Sequence, residues 1–317
     1  MYVGMSSLYY EYNDLQTATH HLLTSQALGE LAGLPQNPYR WCAAMARIRV
    51  AQGDLNGGLD LLDQAERLYD ANFSPNVRPI ATRKVRVYVA QGRLGEALAW
   101  ARERGLSVDN ELSYLHEFDH ITLARVLLAR YQSERAEGSI FEAMGLLERL
   151  LKAAEERGGK GSVIEILVLL AMAYHTQGNL PAALVPLQHA LALAEPEGYI
   201  RIFLDEGLIM MQLLREAAAR EIIPDYASKL LAAFESEQRK SEDKPDLPPP
   251  QPLIEPLSQR ELEILHLIAQ GLSNRQIGER LFLALDTIKG HNRIIFDKLQ
   301  VQSRTEAVAR ARELGLL

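Results

Sequence analysis

The sequence predicts an all-α protein in which a helical-repeat superhelix is followed by a small four-helix domain. Turn-like segments of similar sequence recur at nearly constant intervals through the first 200 residues, and the apolar residues between them follow helical spacing. Near the carboxyl end, helix-start patterns follow one another with little sequence between them. These observations predict two helical domains of different kinds.

Five short segments mark the repeats. In each, a turn residue is followed two positions later by an apolar residue, and a small residue comes three positions after that. The turn residues are Asn13, Gly53, Gly92, Gly138 and Gly178, and the small residues are Ala18, Gly58, Ala97, Ala143 and Ala183. The intervals between turns are 40, 39, 46 and 40 residues. Such a period predicts stacked helix pairs, with glycine ending one helix and the small residue allowing close helix contact.

The period is somewhat longer than a minimal tetratricopeptide unit, which predicts longer helices or connections such as residues 158–161. A last helix pair, 207–220 and 224–234, is expected to close the superhelix, so that the repeat domain spans residues 1–234. Residues 235–252 are rich in Glu, Lys, Ser and Pro, and the Pro248–Pro250 run predicts an extended linker.

Residues 253–317 form the second predicted domain. Ser258 and Glu261 have the spacing of a capping box, so a helix is expected to begin there and to end near Gly271. Ser273 is expected to cap a second helix, and a third is expected from about Leu285 to Leu299. Two helices joined by so short a turn predict helix-turn-helix geometry, in which the later helix enters the DNA major groove.

The third of these helices divides into two faces. The inward face is predicted to carry Leu285, Ile288, Ile295 and Leu299, flanked by His291 and Asn292. The outward face carries Asp286, Gly290, Arg293 and Asp297, with Lys289 and Ile294 at its edges. Arginine and lysine can donate to guanine O6 and N7. Gly290 is either a place where the backbone approaches the bases or a merely tolerated glycine.

The second domain resembles the LuxR-type DNA-binding domain. The resemblance is carried by residues 257–261, 269–277, 286–291, 298–299 and 303–308. It implies that Lys289, Gly290 and Arg293 contact bases. It also implies phosphate contacts from Ser258, Asn274, Arg275, Thr287 and Lys298. A capping box at Ser303–Glu306 is expected to open a fourth helix, to about Leu314, that supports the core and often the dimer.

Two residues depart from the pattern of that family. Ala284 stands where a Ser or Thr cap is usual, which leaves the helix start less well satisfied. Asn292 replaces a usual Leu, so it either finds a hydrogen-bond partner between helices or turns toward DNA.

The repeat domain resembles the sensor superhelix of MalT-like regulators, on residues 91–94, 99–106, 190–199 and 203–207. In that family a nucleotide-binding ATPase domain precedes the superhelix. This chain has no G-x-x-x-x-G-K-[ST] sequence, so no ATP site and no cofactor are expected. The chain is therefore expected to correspond to the carboxyl-terminal part of such a regulator, with the ATPase lost or supplied by another chain.

Charge and composition limit the function. The net charge is −7, and residues from 253 onward carry nine basic and eight acidic side chains, so DNA affinity must come from the placement of charges and from dimerisation. The single cysteine, Cys42, excludes an internal disulfide, and no signal peptide or membrane span is apparent, so a cytoplasmic location is expected.

One motif favours an enzyme instead. His116-Glu117-Phe118-Asp119-His120 matches H-E-x-x-H, which on a helix can hold zinc with the glutamate as general base. The glycine and third histidine of the extended metzincin pattern are replaced by Leu123 and Val126, so the segment is expected to open a repeat helix. No catalytic or metal-binding residue is predicted.

The favoured hypothesis is therefore a bacterial transcription regulator. It binds double-stranded DNA as a homodimer, and a small molecule or protein on the superhelix controls how the DNA-binding domain is presented. The alternative is a scaffold protein, in which the superhelix binds a partner and the DNA-binding domain acts as a tether.

Overall fold

The computed structural model describes residues 1–29, 36–69, 76–242, 258–270, 272–281, 283–299, 301 and 304–313. The regular elements among these residues are helices, which confirms the all-α class. The helices form two compact units, Met1–Glu237 and Gln238–Leu317. None of the described helices combines the length and apolar character that a bilayer span requires.

The first unit is a row of helix pairs. Its helices are α1 (Tyr2–Glu11), α2 (Leu15–Ala27), α3 (Gln36–Ala51), α4 (Leu55–Arg67), α5 (Ile80–Ala90), α6 (Leu94–Glu103), α7 (Glu117–Glu134), α8 (Glu137–Arg157), α9 (Lys160–Thr176), α10 (Leu180–Ala194), α11 (Arg201–Leu204), α12 (Gly207–Ala219) and α13 (Pro224–Glu242). The longer period has two sources: α7 and α8 have 18 and 21 residues, whereas the shorter α6 is followed by a long connection, residues 104–116.

Four of the five predicted repeat turns are confirmed. Asn13, Gly53, Gly92 and Gly178 lie between the helices of a pair with φ values of 63°, 85°, 72° and 79°. Most of these turns also cap the next helix: Asp14, Asp54 and Asn179 each accept a hydrogen bond from a backbone N–H in its first turn. The local sequence thus ends one helix and starts the next.

The turn predicted at Gly138 is wrong. α8 already begins at Glu137, which places Gly138 in its first helical turn, and the left-handed residue of this connection is Arg135, with φ of 53°. In the other pairs the second helix begins at the apolar residue of the pattern, whereas α8 begins about one turn before its apolar residue, Ile140. A non-glycine residue in the left-handed region is uncommon, which is why the glycine pattern pointed to the wrong position.

The small residues after the turns are all buried. Ala18, Ala97, Ala143 and Ala183 are 0% exposed. Gly58 is buried as well, and a Cβ built on it would lie 2.6 Å from Val50 Cγ2. Close contact between the two helices of a pair therefore depends on these positions, as predicted.

The final helix pair is present, but its second helix is longer than predicted. α13 runs to Glu242, so the helix continues past Phe234 into the segment assigned to the linker. The Pro248–Pro250 run lies outside the described residues.

The first repeat packs against α11 and the turns beside it. The Ile200 N–H donates to the Glu11 carbonyl oxygen at 2.8 Å, and the Tyr10 hydroxyl donates to Asp205 Oδ2 at 2.9 Å. The Arg201 guanidinium is 2% exposed and donates to Asn13 Oδ1 at 3.1 Å, to Asp205 and to Glu237 on α13. We call this set of contacts the closure, because it joins the two ends of the row.

Charged side chains of α1, α3, α5, α7 and α9, together with Glu206 just before α12, form ion pairs on one surface, which we call the inner face. Its ion pairs are Arg47–Glu11 at 2.7 Å, Arg86–Glu165 at 2.7 Å, Arg125–Glu165 at 2.9 Å and Arg125–Glu206 at 2.6 Å. Burial by itself raises the pKa of the Glu165 carboxyl, but Arg86 and Arg125 lower it to about 2. A charge network therefore links α5, α7 and α9.

Besides the last residues of α13, the second unit contains four described helices. They are α14 (Gln259–Ala269), α15 (Asn274–Leu281), α16 (Leu285–Leu299) and α17 (Arg304–Glu313). One apolar cluster joins them, with Ile264, Leu265, Ile268, Ile277, Ile288, Ile295, Leu299, Ala307 and Ala311 buried in it. The bounds of α14, α15 and α16 agree closely with the sequence analysis. Ser303, the expected cap of α17, lies outside the described residues.

Candidate nucleic-acid interface

Two capping boxes fix the starts of α14 and α15. Glu261 N donates to Ser258 Oγ at 3.3 Å, and Ser258 N donates to Glu261 Oε2 at 2.7 Å. Gln276 N likewise donates to Ser273 Oγ at 3.4 Å, while Ser273 N donates to Gln276 Oε1 at 2.8 Å. Both helix starts predicted from serine are confirmed.

The turn between α15 and α16 requires a glycine that the sequence analysis missed. Leu283 N donates to the Gly278 carbonyl oxygen at 2.9 Å, so the chain folds back directly over Gly278. A Cβ on Gly278 would lie 2.7 Å from the Leu283 carbonyl oxygen. Only a residue without a side chain lets α16 begin so soon after α15.

The two faces of α16 are separated largely as predicted. Ile288 and Ile295 are 0% exposed and Leu299 is 1% exposed. Leu285 is the exception: it is 45% exposed, because it is the first residue of α16 and lies beyond the apolar cluster. The predicted inward position of Leu285 is therefore wrong.

The residues predicted to contact bases share the outward face of α16. Lys289, Gly290 and Arg293 are exposed. Lys289 Nζ lies 3.0 Å from Asp286 Oδ1, in a pair with side-chain exposures of 59% and 91%. No heavy atom lies within 4 Å of a Cβ built on Gly290. The fold of this domain therefore gives no steric reason for a glycine there.

Asn274 is held by two neighbouring side chains. Its Oδ1 accepts from Asn292 Nδ2 at 2.9 Å and from a terminal nitrogen of Arg304 at 3.2 Å. Asn292 is only 8% exposed, so of the two possibilities left by the sequence it takes the interhelical partner. Because both bonds end on the amide oxygen, they fix the orientation of the Asn274 amide and leave the oxygen occupied.

Arg304 ties the start of α17 to the end of α14. Besides Asn274, its guanidinium donates to the carbonyl oxygens of Leu272 and Ile268. The Ile268 carbonyl lies in the last turn of α14 and the Leu272 carbonyl lies just beyond it, so Arg304 adds hydrogen bonds where the helix ends. The sequence gives no hint of this role, because it depends on how α17 packs across α14.

Two of the predicted phosphate contacts meet at one carboxylate. Lys298 Nζ donates to Glu261 Oε2 at 2.9 Å, the same oxygen that accepts from the Ser258 backbone. Burial by itself raises the pKa of the Glu261 carboxyl, but the hydrogen bonds from Ser258 and Lys298 lower it overall. The Lys298 side chain is 18% exposed, so it also joins the end of α16 to the start of α14.

The other predicted phosphate contacts are on the surface. Arg275 is 85% exposed and its Nε lies 3.1 Å from Glu279 Oε1. Thr287 is exposed in the first turn of α16.

Ala284 lies just before α16, at the position of its expected cap. The Ile288 N–H donates to the backbone oxygen of Ala284 at 3.1 Å. Ala284 thus contributes its carbonyl to the start of α16 but has no side-chain oxygen to cap it.

The H-E-x-x-H segment is occupied by structural contacts. His116 ends a 3-10 turn, Tyr114–His116, and Glu117 accepts from Ser162 Oγ at 2.5 Å and pairs with Arg157. Burial lowers the pKa of His120, whose Nδ1 lies 2.9 Å from the His116 carbonyl oxygen. Within the described part of the chain, no group of three or more His, Cys, Asp or Glu side chains is placed to hold a metal ion.

Comparison with known families agrees with this architecture. Residues 1–220 match the MalT-like TPR region, and residues 255–311 match the bacterial regulatory proteins of the luxR family. The chain therefore belongs to the MalT-like TPR family and carries a LuxR-type helix-turn-helix domain.

Its relatives are named transcription regulators. The chain is 29% identical over 306 residues to the HTH-type transcriptional regulator MalT of Cronobacter sakazakii (strain ATCC BAA-894). The proteins of the same name from two Klebsiella pneumoniae strains, MGH 78578 and 342, are also 29% identical over 306 residues. These matches cover 88% of this chain and 32% of each relative, so the chain spans about a third of the length of the curated relatives.

Proposed function

We propose that this chain is a bacterial transcription regulator that binds duplex DNA with the outward face of α16. One observation carries the proposal: Lys289, Gly290 and Arg293 are exposed together, while Ile288 and Ile295 fix the opposite face in the core. A helix held in this way can enter the major groove without rearranging. The luxR-family match over residues 255–311 supports the same function.

In this proposal Lys289 and Arg293 donate to base edges, and Gly290 allows the helix backbone to approach them. Lys289 exchanges its exposed pair with Asp286 for DNA, which costs little because surface ion pairs contribute about 1 kcal/mol or less. Arg275, Thr287 and Lys298 contact phosphates, together with Ser258 and Asn274.

Asn274 is the best prepared of the phosphate contacts. Asn292 and Arg304 both donate to its Oδ1, so the amide nitrogen is the group that remains for a phosphate oxygen. A donor whose orientation is already fixed loses less conformational entropy on binding.

The repeat domain is proposed to sense an effector and to control presentation of residues 253–317 through the segment that follows α13. The DNA-binding unit has nearly balanced charge, so a single copy binds weakly and a homodimer on an inverted repeat is proposed. DNA binding of this kind implies a cytoplasmic location in a bacterium.

The test is selection of duplexes from a random-sequence pool with the full chain, followed by titration of the selected site. The wild type is expected to enrich an inverted repeat. Arg293→Ala is expected to lose about 1–3 kcal/mol of discrimination at one base pair per half-site, whereas Arg102→Ala on α6 changes nothing.

Binding without sequence preference, or enrichment that Arg293→Ala leaves intact, would contradict the proposal. The first result would favour the scaffold alternative, in which the DNA-binding unit only tethers the superhelix to the chromosome.

A further inference from the structure

Two large apolar side chains are exposed in the described part of the second unit, and both belong to α16. Leu285 is 45% exposed and Ile294 is 43% exposed. Neither is a member of the buried apolar cluster that joins the four helices. Single exposed apolar residues are common on protein surfaces, so the position of each one on the helix decides whether it has a role.

Leu285 lies in line with the two charged residues proposed to contact bases. Leu285, Lys289 and Arg293 are spaced at i, i+4 and i+8, so each lies only about 40° round the helix from the one before. They form one row along α16, and Leu285 extends this row to the first residue of the helix. Ile294 lies about 180° round the helix from Leu285, so it is not part of the row.

The start of α16 is the end that contacts bases in helix-turn-helix geometry, because the first residues of the recognition helix reach the base edges. Side chains of an α-helix lean toward its amino-terminal end. Leu285, as the first residue of α16, therefore projects toward the end of the helix that enters the groove. A leucine side chain has no hydrogen-bonding group, so its contact in the groove is with an apolar group.

The major groove of unmodified DNA presents one apolar group, the 5-methyl group of thymine. Four residues of an α-helix span about 6 Å along its axis, and successive bases of a strand are about 3.4 Å apart. A base contacted by Leu285 therefore lies within about two base pairs of the base contacted by Lys289.

We propose that Leu285 contacts the 5-methyl group of a thymine and adds an apolar specificity contact to those of Lys289 and Arg293. The free protein leaves this leucine side chain in water, and contact with the methyl group removes apolar surface of both from water. The inference rests on the proposed function, since the start of α16 must enter the major groove for Leu285 to reach a base. Each half-site is accordingly expected to contain a thymine within about two base pairs of the base pair that Lys289 contacts.

The experiment uses the full chain and the duplex selected from the random-sequence pool. Each thymine of one half-site is replaced in turn by deoxyuridine, which keeps the base pair and lacks only the methyl group. One replacement is expected to weaken binding by the wild type about three- to fivefold, as for the loss of one buried methyl group. Lys289→Ala identifies the base pair that Lys289 contacts, which is expected within about two positions of the sensitive thymine.

Leu285→Ala is expected to bind the thymine duplex and the deoxyuridine duplex equally. This variant is expected to fold, because Leu285 is nearly half exposed and alanine is at least as favourable as leucine in a helix. An unchanged melting temperature checks the fold. Ile294→Ala is the matched control: it shortens the other exposed apolar side chain of α16 and is expected to keep the full preference for thymine.

Three results would overturn this inference and leave the proposed function standing. They are sequence-specific binding in which no thymine replacement matters, a preference for thymine that Leu285→Ala retains, and an equal loss of the preference in Leu285→Ala and Ile294→Ala. Binding by the wild type without any sequence preference would instead contradict the proposed function, and this inference with it.

Discussion

Gly290 is a position at which helix stability favours alanine and DNA binding favours glycine. The space around it is open and it lies in the middle of a helix, where alanine is favoured over glycine by about 1 kcal/mol. Gly290→Ala is therefore expected to stabilise the DNA-binding unit slightly and to weaken DNA binding, because the added methyl group keeps the backbone from the base edges. Amide hydrogen exchange of α16 and titration of the selected duplex measure the two effects.

Gly145→Ala is the matched control, since Gly145 is also an exposed mid-helix glycine, in α8, with open space around it. It is expected to bring a similar gain in stability with unchanged DNA affinity. Full DNA affinity in Gly290→Ala would make Gly290 a merely tolerated glycine.

Asn292 is expected to act on DNA only through Asn274. Asn292→Leu removes a buried oxygen that has no hydrogen-bond partner, so stability is expected to stay the same or to rise by up to about 1 kcal/mol. Asn274 loses one of the two donors that orient it, so affinity is expected to fall several-fold for all DNA sequences alike. Fluorescence anisotropy on selected and unrelated duplexes measures this change.

A double-variant cycle tests the coupling between these two residues. Asn274→Ala alone and Asn274→Ala with Asn292→Leu are expected to bind equally weakly, because Asn292 then has nothing to orient. Additive losses would show that Asn292 acts independently of Asn274.

At the scale of single residues, the sequence predicted which side chains are exposed better than it predicted which side chains contact one another. The outward position of Lys289, Gly290 and Arg293 follows from helical periodicity, which is a local property. The role of Arg304 and the requirement for Gly278 depend on contacts between helices, and a single sequence does not specify them. The DNA contacts assigned to Lys289, Gly290 and Arg293 remain predictions.

At the scale of elements, the start of α14 and the end of α16 are joined through Glu261, and this link depends on pH. The pKa of Glu261 is lower in the folded state than its ordinary value of about 4.3. Its contribution to stability is therefore present above that value and is lost as the pH falls toward the lowered pKa. The protection factors of α14 amides, which are corrected for the pH dependence of the intrinsic exchange rate, are expected to fall below about pH 4.

Glu261→Gln is expected to remove this acid sensitivity. Glutamine can still accept from the Ser258 N–H, so the capping box survives, but the ion pair with Lys298 is lost at all pH values, at a cost of about 1 kcal/mol. Glu263→Gln, in an exposed pair with Arg260, serves as control. An unchanged pH dependence in Glu261→Gln would mean that another group is responsible.

The helices themselves were predictable because their ends are encoded locally. Capping serines at Ser258 and Ser273 placed α14 and α15, and asparagine or glycine turns placed most repeats. The exception at Gly138 has a clear cause: helix α8 starts earlier than its pattern of apolar and small residues indicates, and Arg135 adopts the left-handed conformation that a glycine search overlooks.

At the scale of the whole repeat unit, the closure contributes stability that can be measured. Tyr10→Phe removes the hydrogen bond to Asp205 and is expected to lower the free energy of unfolding by about 1–2 kcal/mol. The amide of Ile200, which donates to Glu11, is expected to exchange faster as the contact loosens. Urea unfolding followed by the fluorescence of Trp41 and Trp100, the only tryptophans, reports on this unit.

Tyr9→Phe is the control, because Tyr9 stacks on His21 at 5.1 Å between ring centres and takes no part in the closure. It is expected to change stability by no more than about 0.5 kcal/mol. Equal losses in both variants would show that Tyr10 contributes only packing. The closure could not have been predicted, because about 190 residues separate its partners.

An open solenoid can gain or lose a unit with little harm, since each unit touches only its neighbours. The repeat unit of this chain does not have that tolerance, because its closure joins distant helices. Inserting one more helix pair of about 40 residues would carry Tyr10 away from Asp205 and leave Arg201, which is 2% exposed, without Asn13. The number of units between Tyr10 and Asp205 is therefore fixed by the fit between these two residues, so this lineage is expected to vary by substitution within these repeats and not by duplication of them.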